Sequence, residues 1–341
     1  MPVPLPVPEA VPAPARPRRG GRGRAAAAVS ALVVAIGLAA CSSSGPSSGS
    51  SSASAGSGSS ERAAAPGTTA PPCPTTPVRV VVSIDPWGDV VRRLGGACAE
   101  VTTIVTGTAG DPHEYEPTPR DRAAIGDAGI VVVDGLGYDA WATKAVEASS
   151  PAPTVVDAGA VMGRAEGDNP HLWYEPDAVG KVSAAVSGAL RAKAPAASAY
   201  FDERAAAWDQ ALAPYEQAVA DARAVAAGRP YAATESVFAP MADALGMRDV
   251  TPEGYRRAAA NESEPAPGDI ADFQQVLRSR QAAVLVFNTQ TEGAVPDQLR
   301  DVAEQAGVPV VEVTEAVPSG APSFVDWQVA QLAALRRALG G

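Results

Sequence analysis

Short apolar runs rich in β-branched residues recur along this 341-residue chain, each followed by a stretch with helical spacing. The first is Arg79-Val80-Val81-Val82-Ser83-Ile84. Runs without polar alternation fit strands buried on both faces, as in a parallel sheet covered by helices. Asp85-Pro86 opens a helix over Trp87–Leu94 that ends at Gly95-Gly96. Strands are expected at Val101–Val105, Ile130–Asp134 and Thr154–Val156, with helices at Arg120–Ala128, Tyr138–Ala148 and Pro176–Ala194. From Ser198 to about Ala226 the apolar residues Phe201, Ala205, Trp208, Leu212 and Tyr215 keep helical spacing. One long helix is predicted there, kinked at Pro214. The alternation then resumes: strands at Tyr231–Thr234, Ala283–Phe287 and Val308–Val313, helices at Val237–Leu245, Asp269–Arg280, Pro296–Ala306 and Ser323–Leu339. The pattern predicts an α/β fold with two Rossmann-like lobes and mostly parallel sheets, residues 78–195 and 228–341, joined by a helix over 196–227.

The segment before the first strand reads as an address rather than a fold. Arg16, Arg18, Arg19, Arg22 and Arg24 precede an apolar run from Ala25 to Ala40, too short for a comfortable membrane span. Leu38-Ala39-Ala40-Cys41 resembles the lipobox of bacterial lipoproteins, which implies cleavage before Cys41 and acylation of that residue. The mature protein would then be extracytoplasmic and anchored to the cell membrane, not spanning it. Residues 41–77 are mostly Ser, Gly, Ala, Thr and Pro and read as a flexible tether. With Cys41 acylated, two cysteines remain outside the cytoplasm, so a Cys73–Cys98 disulfide is expected. The net charge of −11 argues against a nucleic-acid partner.

The chain has only two histidines, and both lie in Pro-fixed loops. His113 sits in Asp111-Pro112-His113-Glu114-Tyr115-Glu116-Pro117 and His171 in Asn169-Pro170-His171-Leu172-Trp173. Neutral imidazole is the commonest side-chain metal ligand, although a loop histidine can equally be a solvated residue. In parallel α/β sheets ligands bind at the carboxyl ends of strands. That rule adds Glu235 and Glu315 as donors from the second lobe. Glu235 could instead be a helix N-terminal residue favoured by the dipole, and Glu315 a solvated loop carboxylate. Two imidazoles and two carboxylates suit a borderline or harder divalent ion.

At these motifs the chain resembles the zinc/manganese solute-binding proteins of ABC transporters, the cluster A-I or TroA-like family. Gly110 to Pro117 matches the family's first-ligand loop, and Asn169 to Trp173 its second. Thr234-Glu235-Ser236-Val237-Phe238 takes the third-ligand position. Asn261-Glu262-Ser263-Glu264-Pro265 and Val313-Thr314-Glu315-Ala316 fit the last third. The resemblance implies two α/β lobes on one rigid helix and a monomer that captures Mn²⁺ or Zn²⁺ in the interlobe cleft. It implies His113, His171, Glu235 and Glu315 as ligands, and delivery of the ion to a membrane permease driven by an ATPase. Glu235 stands where zinc members often have a third histidine, and the His-rich loop of many zinc members is missing, so the donor set tilts towards Mn²⁺. Glu315 stands where the family usually has Asp, with Glu312 as a poor substitute. Two rivals are a metal-dependent hydrolase or oxygenase using the same donors, and a metal-independent surface adhesin.

Overall fold

The computed structural model describes residues 72–107, 115–261, 263–291 and 293–341. The leader, Cys41 and most of the tether lie outside the described residues, as do the first-ligand loop from 108 to 114 and with it His113.

Strand β1 (Val78–Ile84) lies between β2 (Ala99–Val105) and β3 (Ile130–Val133), and β4 (Thr154–Asp157) pairs with β3. All pairings are parallel, with Val80 opposite both Val101 and Ile130, and Ile130 opposite Thr154. The connections run through α1 (Asp85–Gly95), α2 (Pro119–Gly126) and α3 (Ala140–Glu147), followed by α4 (Ala158–Met162) and α5 (Pro176–Lys193). The order β2-β1-β3-β4 reverses direction between β1 and β3. In open α/β sheets that reversal opens a crevice at the strands' carboxyl ends.

The linker α6 (Ser198–Ala226) has 29 residues and so spans about 43 Å. It runs through Pro214 as one continuous helix, where the sequence predicts a kink. Proline there still removes one donor to the preceding turn. Phe201, Trp208, Leu212, Tyr215, Val219, Ala222 and Ala226 form its buried stripe, while Ala205 is only partly covered.

The second sheet repeats the first. β5 (Pro230–Ala233), β6 (Arg248–Asp249), β7 (Val284–Asn288) and β8 (Val310–Val313) are parallel in the order β6-β5-β7-β8, so the reversal falls between β5 and β7. Its helices are α7 (Ala239–Ala244), α8 (Glu253–Ala260), α9 (Pro267–Arg278), α10 (Ala294–Ala306) and the closing α11 (Phe324–Ala338). Helices α4 and α8 and strand β6 have no counterpart in the sequence prediction. Each is short, and β6 is an exposed two-residue edge without an apolar run.

One apolar cluster runs unbroken from Val78 in the first sheet, through the α6 stripe, to Val284, Val311 and Leu335 in the second half. Polar ties cross the same boundary. Asp85 accepts hydrogen bonds from Gly107 N (2.8 Å) and Val317 N (3.1 Å), and Asp89 accepts from Phe324 N (3.0 Å). The Tyr174 hydroxyl lies 2.7 Å from the Thr314 carbonyl oxygen and 2.7 Å from Gln331 Oε1. Shared apolar packing of this kind resists large lobe rotation, because opening would expose it to water.

Candidate metal centre

The two crevices hold the site. Glu235 lies two residues past β5, Glu315 two residues past β8, and His171 in the loop between α4 and α5. These three side chains each offer a ligand atom within 4.8 Å of the others, and they form the one such group of histidine, cysteine or acidic residues among the described residues. His171 Nε2 is 3.4 Å from Glu315 Oε2. His171 and Glu315 are each 2% exposed, and Glu235 is half-buried. Glu235 is not a helix N-terminal residue. α7 begins only at Ala239, so a helix dipole does not account for Glu235. Glu312 sits exposed on β8, away from this group.

Each donor is held by a built surround. Asn169 Oδ1 lies 2.9 Å from His171 Nδ1 and also accepts the His171 backbone N–H at 2.9 Å. An acceptor at Nδ1 places the ring proton there and leaves Nε2 as the lone-pair nitrogen facing the carboxylates. The Asn169 amide donates in turn to Ser236 O at 2.9 Å, beside Glu235. Tyr138 and Trp173 flank the imidazole edge-on, with centroids 5.9 and 5.3 Å away. The Tyr138 hydroxyl donates to Glu315 Oε2 at 3.0 Å. Asn288, the last residue of β7, donates from Nδ2 to Glu235 Oε2 (2.6 Å) and to Glu315 Oε1 (2.8 Å). Thr291 donates to Glu235 Oε2 as well. Gln290 Oε1 accepts the backbone N–H groups of Glu315 (2.7 Å) and Ala316 (2.9 Å), which sets the Glu315 turn.

Burial and the neighbouring Glu315 charge push the Glu235 carboxyl above its usual range, against the pull of His171 and its hydrogen bonds. Two carboxylates and an imidazole nitrogen crowded out of water form an arrangement that a divalent cation would relieve. The donors are nitrogen and oxygen. Cys73 and Cys98, whose sulfurs could attract a softer ion, are joined in a disulfide with Cα atoms 4.9 Å apart. No described helix is long and apolar enough to cross a membrane.

The sequence reading passed over Tyr138, Asn288, Gln290 and Thr291. The available signal was position. Each lies within five residues of the carboxyl end of a buried strand, β3 or β7, which flank the two sheet reversals.

Comparison with known proteins matches residues 80–338 to the family described as ZnuA, zinc-uptake complex component A, periplasmic. The manganese-binding lipoprotein MntA of Halalkalibacterium halodurans is 26% identical over 260 residues, 73% of this chain and 84% of that protein. The zinc-binding lipoprotein AdcA of Streptococcus pneumoniae is 21% identical over 285 residues, 76% of this chain and 55% of that protein. Among solved structures, the periplasmic zinc-binding protein TroA of Treponema pallidum superposes with a TM-score of 0.66 at 18% identity, covering 77% of this chain and 99% of that one. At that identity the superposition speaks for the fold.

Proposed function

The chain belongs to the ZnuA family of periplasmic zinc-uptake components, and from that membership we propose that it captures Mn²⁺ or Zn²⁺ in the cleft between its lobes through His171, Glu235 and Glu315. It is a solute-binding protein of a metal ABC transporter and not an enzyme. The observation that carries the site assignment is the convergence of one imidazole and two carboxylates from three separate loops within 4.8 Å. His113, outside the described residues, completes the donor set on the strength of its loop motif alone. A hydrolase or oxygenase would need an open coordination position and a general base beside it. The acids nearest His171 are instead spent as ligands, with Asn288, Thr291 and Tyr138 fixing Glu235 Oε2 and both oxygens of Glu315.

Delivery follows from the same role. The loaded protein hands its ion to a permease energised by an ATPase, working outside the cytoplasm. We assign Cys41 as the lipid anchor and residues 41–77 as the tether that lets the domain stand off the membrane. The named donors come from one chain, so a monomer suffices. The test is thermal unfolding of the metal-stripped protein with Mn²⁺, Zn²⁺, Mg²⁺ or Ca²⁺ added separately. A ligand that binds only the folded state adds about 2.7 kcal/mol at a hundredfold excess over its Kd. Stabilisation by Mn²⁺ or Zn²⁺ that disappears in His171→Ala supports the assignment. No stabilisation by any of the four ions overturns it.

A further inference from the structure

The Asn288 amide sits between the two carboxylates of the site, and its orientation is fixed. Its Oδ1 accepts the Gln290 backbone N–H at 3.1 Å, so the NH₂ side must face the acids. Nδ2 reaches Glu235 Oε2 at 2.6 Å and Glu315 Oε1 at 2.8 Å. The Asn288 backbone is pinned by the Thr234 hydroxyl, which accepts its N–H at 3.1 Å. The Thr291 hydroxyl donates to the same Glu235 Oε2. One oxygen of Glu235 therefore carries two donors, while Oε1 accepts no hydrogen bond among the described residues. A cation approaching Glu235 meets Oε1 unencumbered. To take Oε2 as well it must strip two hydrogen bonds from a half-buried carboxylate.

We propose that Asn288 and Thr291 hold Glu235 to one-oxygen ligation and thereby set which ion the site selects. This inference rests on the assignment of the cluster as the metal site. Zn²⁺ is satisfied by about four ligands. Mn²⁺, like Mg²⁺ and Ca²⁺, favours about six or more oxygen-rich ligands, which two-oxygen carboxylates help to supply. A site with one carboxylate restricted to a single oxygen discriminates in favour of Zn²⁺. Counting donor types, as the sequence allows, tilts towards Mn²⁺; the hydrogen bonds on those donors tilt back. Any nitrogen and oxygen site already binds Zn²⁺ more tightly than Mn²⁺. The informative quantity is therefore the change in the ratio of the two affinities when the restraint is removed.

The experiment measures Kd for Zn²⁺ and for Mn²⁺, by competition with a chromophoric chelator, on the intact chain and on Thr291→Val, Thr291→Ser and Asn288→Ala. Thr291→Val keeps the shape and deletes the donor; Thr291→Ser restores it. The Mn²⁺-to-Zn²⁺ ratio of dissociation constants should fall about tenfold in Thr291→Val and Asn288→Ala, the scale on which partners behind a ligand act. Thr291→Ser should keep the wild-type ratio. The thermal midpoint of each metal-free variant reports that it folds. An unchanged ratio in both deletion variants, with Zn²⁺ still bound, overturns the inference alone. Equal weakening of both ions does so too, because the donors would then serve affinity and not choice of ion. A wild-type chain that binds neither ion removes the site assignment itself.

Discussion

Replacing Asn169 by Ala deletes three hydrogen bonds at once. Two hold His171, through Nδ1 and the backbone N–H, each at 2.9 Å. The third crosses the cleft to Ser236 O at 2.9 Å, next to Glu235. Without the acceptor the imidazole can carry its proton on either nitrogen, and part of the population presents N–H to the ion instead of a lone pair. Loss of a hydrogen-bond partner behind a histidine ligand typically costs about 10- to 100-fold in metal affinity, or about 1.4–2.7 kcal/mol. The two deleted bonds on the same residue, one to the ring and one to its backbone, place this variant near the upper end. Competition titrations with Zn²⁺ against a chelator of known affinity measure it directly. Asn169→Asp keeps an acceptor for Nδ1 and for the backbone N–H but loses the donor to Ser236. Its affinity should fall between that of wild type and Asn169→Ala. A change of less than about threefold in Asn169→Ala would refute the reasoning, since the ring would then be held by something other than this residue.

Further outcomes follow from other parts of the molecule. Burial pushes the Asp134 carboxyl well above the ordinary carboxylate range, reinforced by the Asp139 charge and opposed by the Trp87 indole, which donates to it at 2.8 Å. A raised folded-state value means that this group stabilises fully below its unfolded value of about 3.9 and that the contribution fades as pH rises through the folded value. Asp134→Asn mimics the protonated form, so its stability relative to wild type, read by urea denaturation across pH, should rise from acid to neutral by at most about 1.4 kcal/mol per unit; a flat difference would contradict this. Breaking the Cys73–Cys98 disulfide, which closes a 25-residue separation, should cost about 3.5 kcal/mol in a chain-entropy account, seen as a lower thermal midpoint in Cys73→Ser. Tyr174→Phe deletes the hydroxyl that lies 2.7 Å from both the part-buried Thr314 carbonyl oxygen and Gln331 Oε1 and should cost about 1–3 kcal/mol, while metal affinity changes little if the tie serves only lobe packing.

The alternation of strands and helices was legible because buried parallel strands demand unbroken β-branched runs, as at Val80–Val82 and Ile130–Val133. The α6 stripe was legible because Phe201, Trp208, Leu212 and Tyr215 repeat with the helix period. Strand β6 escaped because Arg248-Asp249 is an exposed edge with no apolar signature, and its position is set by β5 alone. Glu235 and Glu315 were reached from the rule that ligands sit at strand ends, together with family resemblance. Glu235 was also open to explanation as a helix-start residue, until the helix proved to begin four residues later. Asn288 and Thr291 were invisible as site residues. Their role depends on which carboxylate oxygen each one meets, a matter of three-dimensional placement that spacing along the chain does not encode.

The central claim is that a transition-metal ion sits among His171, Glu235 and Glu315. A crystal of the Zn²⁺- or Mn²⁺-loaded protein, with anomalous scattering collected at the metal edge, tests it most directly. The account predicts a single strong peak about 2.0–2.3 Å from His171 Nε2 and from an oxygen of each glutamate. A peak elsewhere, with none among His171, Glu235 and Glu315, would contradict it.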